Sequence, residues 1–264
     1  MSLRQVPVLN WKQGDQESRN DEIAAEVPVA LTYNKRSHVV MMATPTELED
    51  FAVGFSLTEG IIKQPADILD SSVIQREKGL ELAITVNQQC FEGLDSQRRN
   101  LVGRTGCGLC GAESLDQAMH HPAAVGSRVS INHAALQNAI QCLNDHQPLQ
   151  AATGALHGAA WCNIEGEILS VREDVGRHNA LDKLIGHLSR SAFDPATGFV
   201  LVSSRASYEM VYKAAAVGME ILVAVSAPTT LAIDFAHRSG MTLVGFARPG
   251  RHNVYTFKSR IHDD

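Results

Sequence analysis

Residues 198–226 read GFVLVSSRASYEMVYKAAAVGMEILVAVS, and this stretch decides the fold class. Two short apolar runs, Phe199–Val202 and Ile221–Val225, are typical of buried strands. The residues between them, Ala206–Val217, are predicted to form a helix. A strand, a helix and a second strand in succession indicate an α/β protein.

The same alternation continues on both sides of this stretch. The predicted strands are Ala155–Cys162, Glu167–Val171, Thr242–Phe246 and Asn253–Phe257, and the predicted helices are His133–Leu143, Val175–Ser189 (with Asp174 as its N-cap) and Thr230–His237, which ends at Gly240. The last two strands are expected to form a hairpin. Short apolar strands that alternate with helices predict a mostly parallel sheet with helices on both faces.

The N-terminal part of the chain has a different pattern. We expect residues 1–20 to be frayed and Glu26–Thr32 to form a hairpin with Ser37–Ala43. A helix is predicted to begin with a capping box of Thr46 and Glu49 and to end at Gly60. Two further strands are predicted at Val73–Ile74 and Leu80–Val86, around Lys78-Gly79. Residues 87–113 are rich in glycine and arginine and are predicted to be a loop. We therefore predict a smaller α+β domain at 1–120 and a second domain at 121–264.

Composition excludes several classes of protein. The chain has 264 residues, five cysteines and a net charge of −6. Residues 1–150 carry 12 basic and 18 acidic side chains, and the remainder carries 11 of each. An acidic chain is a poor candidate for non-specific binding to nucleic acid or membranes. No apolar run reaches the length of a membrane span, residues 1–15 lack a secretory signal, and an odd cysteine count favours a reducing compartment.

Two cysteines, Cys107 and Cys110, lie three residues apart in the glycine-rich segment. They could be incidental, but such a close pair makes that interpretation the weaker one. A structural zinc site needs four ligands, and the other cysteines are isolated in the sequence. A thioredoxin-like dithiol needs a preceding strand, which the polar residues 96–106 do not offer. We favour a nucleophilic or sulfur-carrying cysteine, because nearby arginines stabilise a thiolate.

Polar side chains also follow several predicted strands. Residues 173–183 read EDVGRHNALDK, Ser203-Ser204-Arg205 and Thr229 open two later helices, and residues 245–251 read GFARPGR. Helix N-termini and arginines suit phosphate, and an aromatic ring offers a stacking face for a base. Each feature alone could be an ordinary cap or turn, and a lone His157 is more often structural. Because several successive strand ends carry such residues, we expect one anion-binding site there.

In this order, the motifs resemble the formate dehydrogenase accessory sulfurtransferase family. The resemblance covers nearly the whole chain and rests on GFSLTEGII at 54–62, CGLCG at 107–111, EDVGRHNALDK at 173–183, SRAS at 204–207, PTTLA at 228–232 and MTLVGF at 241–246. It implies a cytoplasmic homodimer that accepts sulfur from a cysteine desulfurase as a persulfide on Cys107, assisted by Cys110. The sulfur would pass to the molybdenum bis(molybdopterin guanine dinucleotide) cofactor of formate dehydrogenase.

The resemblance also implies where that cofactor binds and how the C-terminal domain folds. The expected cofactor-binding residues are Phe246, Ala247, Arg248, Pro249, Gly250, Arg251, Arg205, His178, Arg177 and Thr229. The domain at 121–264 is expected to be a three-layer α/β/α fold like that of cytidine deaminases. A zinc deaminase needs H-x-E and P-C-x-x-C at two helix starts, and here those positions read His178-Asn179-Ala180 and Ser203-Ser204-Arg205. We therefore expect no zinc.

Three functions stay open at this point. The leading one is a sulfurtransferase with a persulfide intermediate on Cys107. The second is a non-catalytic chaperone that binds and delivers the molybdenum cofactor. The third is a dithiol oxidoreductase that cycles a Cys107–Cys110 disulfide. The residues do not decide whether Glu59, His157 or His178 takes part in acid–base chemistry.

Overall fold

The computed structural model describes residues 2–98, 124–191 and 193–263, with the side chains of 95–98 excluded. We refer to the described residues before and after the gap at 99–123 as the N-terminal and C-terminal units. The N-terminal unit contains β1 (Leu3–Lys12), β2 (Asp15–Ala24), β3 (Val27–Tyr33), β4 (Arg36–Ala43), α1 (Leu48–Thr58), β5 (Ile68–Arg76), β6 (Gly79–Val86) and α2 (Gln88–Arg98). The predicted domain boundary near residue 120 lies outside the described residues and stays a prediction.

The C-terminal unit contains more elements, which alternate in type. They are β7 (Ile131–Asn132), α3 (His133–Cys142), α4 (Pro148–Thr153), β8 (His157–Asn163), β9 (Ile168–Asp174), α5 (Arg177–Ser189), β10 (Gly198–Val202), α6 (Tyr208–Ala216), β11 (Ile221–Ala224), α7 (Thr230–Ser239), β12 (Thr242–Arg248), β13 (Arg251–Val254) and β14 (Ile261–His262). The α/β class is confirmed, and no helix in the described part of the chain is long and apolar enough to cross a membrane.

A six-stranded sheet with the order β13-β12-β11-β10-β8-β9 is the centre of the C-terminal unit. Side chains of its strands alternate between two cores: Val200 and Val202 face α5, α6 and α7, whereas Phe199 and Leu201 face α3. Burial of both faces explains why these strands are uninterrupted apolar runs. The prediction of helices on both faces is therefore confirmed, and the unit has three layers.

The prediction that this sheet is mostly parallel is wrong. Of the five strand pairings in this sheet, β10–β11 and β11–β12 are parallel, whereas β12–β13, β10–β8 and β8–β9 are antiparallel. Each edge of the sheet is a hairpin, β8–β9 on one side and β12–β13 on the other. An apolar run indicates a buried strand but not its direction, because burial depends on both faces and not on the neighbouring strand.

The N-terminal unit holds a four-stranded sheet, β4-β3-β6-β5, with Leu31, Leu82 and Phe51 of α1 in its core. The predicted hairpin is confirmed as β3–β4, and its turn residues Asn34 and Lys35 have φ angles of 47° and 67°. The predicted strand pair around Lys78-Gly79 is confirmed as β5–β6.

Three local predictions in this unit are wrong. Residues 3–20, within the range predicted to be frayed, are ordered instead, because β1 and β2 form a two-stranded antiparallel ribbon whose β2 strand packs against α4. Helix α1 has no capping box: its N-cap is Glu47, with φ of 49° and no side-chain cap, and Thr46 does not take that role. The loop predicted from residue 87 begins as helix α2, because Asn87 caps it by accepting from the Cys90 N–H and Leu94 is buried in the core.

The two units meet where α1 crosses α5. Gly54 of α1 and Gly186 of α5 let the backbones touch, because a Cβ at Gly54 would overlap the carbonyl oxygen of Asp182 and one at Gly186 would overlap that of Asp50. Asp50 also accepts from Arg172 and Arg190 of the C-terminal unit, at 2.9 and 3.0 Å. The units therefore share a close interface and do not touch only at a linker.

Candidate functional site

The predicted convergence of strand ends is observed at one edge of the six-stranded sheet. This edge is formed by the carboxyl ends of β10, β11 and β12 and not by one of the two outer strands. The Ser226 N–H donates to the carbonyl oxygen of Ser204 at 3.2 Å, and the Phe246 N–H donates to that of Ser226 at 3.0 Å. These bonds align the segments that follow β10 and β11 with the last part of β12. Arg205 and Thr229 are exposed on them. The hydroxyl of Thr229 also caps α7 by accepting from Ala232.

Phe246 has an unusual backbone at this edge. Its φ is 51°, the strand register shifts between Gly245 and Arg248, and the residue is 41% exposed. A non-glycine residue with positive φ is strained, and such strain persists where the surrounding structure requires it, often at functional sites. The bulge therefore presents an aromatic ring at the end of a strand, where a base could stack.

The segment that follows Phe246 is a cationic turn. Arg248 and Arg251 are paired across the β12–β13 hairpin, and Pro249 and Gly250 form its tip. Both arginines are exposed, and exposed guanidinium groups bind phosphate oxygens through two parallel hydrogen bonds. Ala247, by contrast, is fully buried in the core that faces α3 and has no exposed surface in this structure.

His157, Arg177 and His178 lie at the same edge, around β8 and β9. The Gly158 N–H donates to the hydroxyl of Ser203 at 2.9 Å, which ties the start of β8 to the end of β10. Burial, then the positive charges of Arg177 and His178, lower the pKa of His157. The imidazole therefore stays neutral near pH 7 and can accept or donate a hydrogen bond.

Arg177 and His178 begin α5, and Nε of Arg177 is buried without a hydrogen bond to any described residue. His178 Nε2 lies 3.0 Å from Oε2 of Glu209, a contact that becomes an ion pair when the imidazole is protonated. Buried polar atoms are normally satisfied, so Nε of Arg177 marks a place where an acceptor group fits. Both residues are thus located where the sequence predicts a ligand.

Most of the charged stretch at 173–183 does not belong to that site. Asp174 and Lys183 form a fully buried ion pair at 2.7 Å, and Lys183 also donates to the carbonyl oxygen of Thr44 at 2.9 Å. Asn179 donates to the carbonyl oxygen of Met42 at 2.8 Å. These side chains fasten the C-terminal unit to the N-terminal unit. The predicted N-cap role of Asp174 is wrong, since Gly176 is the N-cap of α5.

Glu59 and Asp182 are also engaged between the units. Lys213 Nζ donates to Asp182 at 2.9 Å, to Glu59 at 3.0 Å and to the hydroxyl of Thr58 at 2.9 Å. Burial opposes the charge on Lys213, but attraction to the two carboxylates outweighs it and raises the pKa of the lysine. Glu59 therefore holds a buried cation.

The candidate sulfur-carrying residues, Cys107 and Cys110, lie outside the described residues, as do Arg99 and Arg104. Of the remaining cysteines, Cys162 is buried in the core, and burial raises the pKa of its thiol. No group of three or more His, Cys, Asp or Glu within residues 2–98, 124–191 and 193–263 could hold a metal ion.

One cluster of polar side chains lies next to the cationic turn and was not predicted from the sequence. Gln137 of α3 accepts from the Gly250 N–H at 2.7 Å and lies 2.9 Å from Nδ1 of His252, whose Nε2 lies 2.8 Å from Nδ1 of His133. The available signal was the spacing of His133 and Gln137, four residues apart on one helix face. Nothing in the sequence indicated that His252, on a distant hairpin, would join them.

Comparison with known proteins gives consistent results. The sequence model of the FdhD/NarQ family matches residues 24–262. The chain is 51% identical over 257 residues to the sulfur carrier protein FdhD of Cupriavidus necator, covering 97% of this chain and 89% of that protein. A solved structure from Desulfotalea psychrophila, described as a formate dehydrogenase accessory protein, matches with a TM-score of 0.78 at 24% identity, covering 99% of this chain and 100% of that one. The structural match shows a shared fold.

Proposed function

Because the chain belongs to the FdhD/NarQ family, we propose that it carries sulfur for formate dehydrogenase by forming a persulfide on Cys107. The thiolate of Cys107 attacks the outer sulfur of a cysteine desulfurase persulfide. The new S–S bond forms as the old one breaks, and the desulfurase cysteine leaves as a thiolate. This exchange is balanced without an added oxidant or reductant.

The acceptor of the sulfur is the molybdenum bis(molybdopterin guanine dinucleotide) cofactor, which is the substrate of the transfer. Cys107 leaves as a thiolate and retains the electron pair of the S–S bond, so the outer sulfur is transferred to the cofactor as a neutral atom. It becomes sulfide by taking two electrons from the molybdenum centre. Cys110 assists the transfer or resolves the persulfide. We propose that the protein acts in the cytoplasm and as a homodimer.

The observation that carries the binding part of the proposal is the exposed, strained Phe246 beside Arg248 and Arg251. A guanine dinucleotide needs a stacking face for the base and cations for the diphosphate, and this segment offers both. Arg205 and the N-terminus of α7 at Thr229 lie on the neighbouring strand ends and add to the positive field. Arg177 offers an unsatisfied donor at the same edge, and His178 lies beside it at the start of α5.

The experiment that tests the chemistry is mass spectrometry of the peptide that contains Cys107. After incubation with cysteine desulfurase and cysteine, we expect a gain of about 32 Da, the mass of one sulfur atom. Cys107→Ala should fold and bind GDP as the unaltered chain does, but it should fail to restore formate dehydrogenase activity. The matched control is Cys162→Ala, which alters a buried thiol and leaves Cys107 in place.

The outcomes separate the functions that the sequence leaves open. A chain that binds GDP but never gains sulfur, and whose Cys107→Ala variant still supports formate dehydrogenase, is a delivery chaperone. A cycling disulfide that is lost in Cys110→Ala together with all activity indicates a dithiol oxidoreductase. Either result would contradict the persulfide proposal.

A further inference from the structure

A chain of three hydrogen bonds connects helix α3 to the tip of the cationic turn. The Gly250 N–H can only donate, so the atom of Gln137 that faces it at 2.7 Å is the acceptor Oε1. The amide nitrogen of Gln137 therefore faces His252 Nδ1 at 2.9 Å and donates to it. Geometry thus fixes the orientation of the amide without reference to hydrogen positions.

The same reasoning fixes the protonation of the two histidines. Since Nδ1 of His252 accepts, its proton is on Nε2, which donates to Nδ1 of His133 at 2.8 Å. The ring centroids lie 4.9 Å apart and the ring planes are inclined by 24°, which fits two rings joined edge to edge by this bond. Burial and the neighbouring His133 lower the pKa of His252, which favours this neutral form. His133 is the first residue of α3, and Asn132 caps that helix by accepting from Ala135 at 2.7 Å. The chain of bonds therefore ends on a fixed element.

We infer that Gln137 and His252 are positioning residues, which hold the Gly250 backbone so that Arg248 and Arg251 are presented to a nucleotide diphosphate. The inference rests on the proposed function, because it assumes that the turn receives a phosphate-bearing ligand. Neither positioning side chain needs to touch that ligand.

The physical reason is pre-organisation. Gly250 has φ of 78°, a conformation open to glycine, and a Cβ there would meet no atom within 4 Å. The tip therefore has no packing of its own to hold it. Two flexible arginines on a loose turn would lose conformational entropy on binding, and a turn already fixed by Gln137 loses less. A hydrogen bond contributes a net of about 0.5–1.5 kcal/mol, so we expect GDP binding to weaken by about twofold to thirteenfold when the bond is removed.

The test is a titration of the full-length chain with GDP by calorimetry, with amide exchange at Gly250 measured in the free protein. Gln137→Met keeps the volume of the side chain but removes both polar contacts. We expect it to weaken GDP binding and to accelerate exchange at Gly250. The control is Gln141→Met, the same substitution one turn later on an exposed position of α3, which should change neither.

Substitutions of His252 separate positioning from simple stability. Asn places its Oδ1 where Nδ1 of histidine lies, so His252→Asn keeps the acceptor for Gln137, whereas His252→Leu removes it. We expect His252→Asn to bind GDP nearly as the unaltered chain does and His252→Leu to resemble Gln137→Met. A merely structural role would lower the thermal midpoint in both variants and leave the affinity of the folded protein unchanged.

The possible results are distinct. If the unaltered chain binds GDP and Gln137→Met binds it equally well, the positioning role is wrong and the proposed function is unaffected. If the unaltered chain does not bind GDP, the proposed binding segment is wrong, and the positioning inference fails with it. Weaker binding in Gln137→Met with unchanged Gly250 exchange would contradict the mechanism, because the turn would then be fixed by something else.

Discussion

Asp174 and Lys183 show how burial decides the role of a charged residue. In the sequence they belong to a polar stretch that suits a ligand, and in the fold both are fully buried against each other at 2.7 Å. The carboxylate also accepts from the Thr44, Gly176 and Asn179 nitrogens at 2.8–3.0 Å. The Asp174 carboxylate therefore has partners within the protein for both of its oxygens, and the burial of this ion pair needs no bound ligand to explain it.

Removal of one partner should therefore be costly. Lys183→Met leaves a buried carboxylate without its cation, and we expect a loss of about 3 kcal/mol in the free energy of unfolding. The double variant Asp174→Asn/Lys183→Met should cost less than the sum of the two single variants by at least about 1 kcal/mol. Urea unfolding measures both. Arg76→Met, which breaks an exposed ion pair with Glu81, should cost under about 1 kcal/mol. Equal costs at the two sites would contradict the role of burial.

His157 should make stability depend on pH in a defined direction. Burial, with Arg177 and His178, lowers its pKa from an ordinary value of 6.5, so the folded state binds this proton less tightly than the unfolded chain does. The stability that His157 contributes is complete above that ordinary pKa and is lost as the pH falls below it. Between about pH 7.5 and about pH 5.5, the unaltered chain should lose more stability than His157→Gln.

Urea midpoints of both proteins at the two pH values give the comparison, with exposed His262→Gln as the control. The control should follow the unaltered chain at both values. Parallel loss of stability in His157→Gln and the unaltered chain would show that the proton affinity of His157 does not change on folding.

At the scale of elements, periodicity and length predicted the strands and helices of the C-terminal unit within a few residues, except the short elements β7, α4 and β14. The direction of the strands was predicted wrongly, because hairpins at both edges of the sheet depend on which strands pair and not on how apolar they are. The cap of α1 was predicted wrongly as well. Thr46 and Glu49 have the spacing of a capping box, but the Thr44 N–H is used by Asp174, 130 residues away. Tertiary contacts of this kind have no local signal.

Sequence patterns report on neighbouring residues only, and this also explains which of the site residues could be predicted. Arg205, Thr229 and the segment 246–251 were identified because turns and helix starts after apolar strands are local patterns. Their meeting at one edge followed from the rule that ligands bind at the carboxyl ends of strands. The histidine pair was missed because it joins α3 to β13, and no short pattern links them.

The contact between α1 and α5 depends on two glycines. A methyl group at Gly54 or Gly186 would overlap a backbone carbonyl of the opposite helix, and backbone cannot move aside as a flexible side chain can. Gly54→Ala and Gly186→Ala should each lower the free energy of unfolding by about 1–3 kcal/mol or more. Gly93→Ala in α2 meets no atom within 4 Å and should raise it by about 0.5–1 kcal/mol. Thermal unfolding of the three variants checks both signs, and a neutral Gly186→Ala would show that the helices can separate freely.

At the scale of the whole molecule, the buried interface should make the two units unfold together. Helices α1 and α5 touch through backbone, the Asp174–Lys183 pair binds Thr44, and Lys213 binds Glu59 across the interface. Separation of the units would expose these charges without their partners, so a state with one unit folded has no stable interface. We expect a single calorimetric transition whose enthalpy equals the van't Hoff enthalpy.

A spectroscopic comparison makes the expectation specific. The chain has two tryptophans, and Trp11→Phe leaves Trp161, which is 3% exposed in the core of the C-terminal unit. Its fluorescence should change at the same urea concentration as the far-ultraviolet circular dichroism of the whole chain, because both units lose their structure together. Gly186→Ala on the same background should move both midpoints by the same amount. If the fluorescence midpoint stays in place while part of the dichroism is lost earlier, the N-terminal unit unfolds by itself, and the interface does not couple the units as its buried charges indicate.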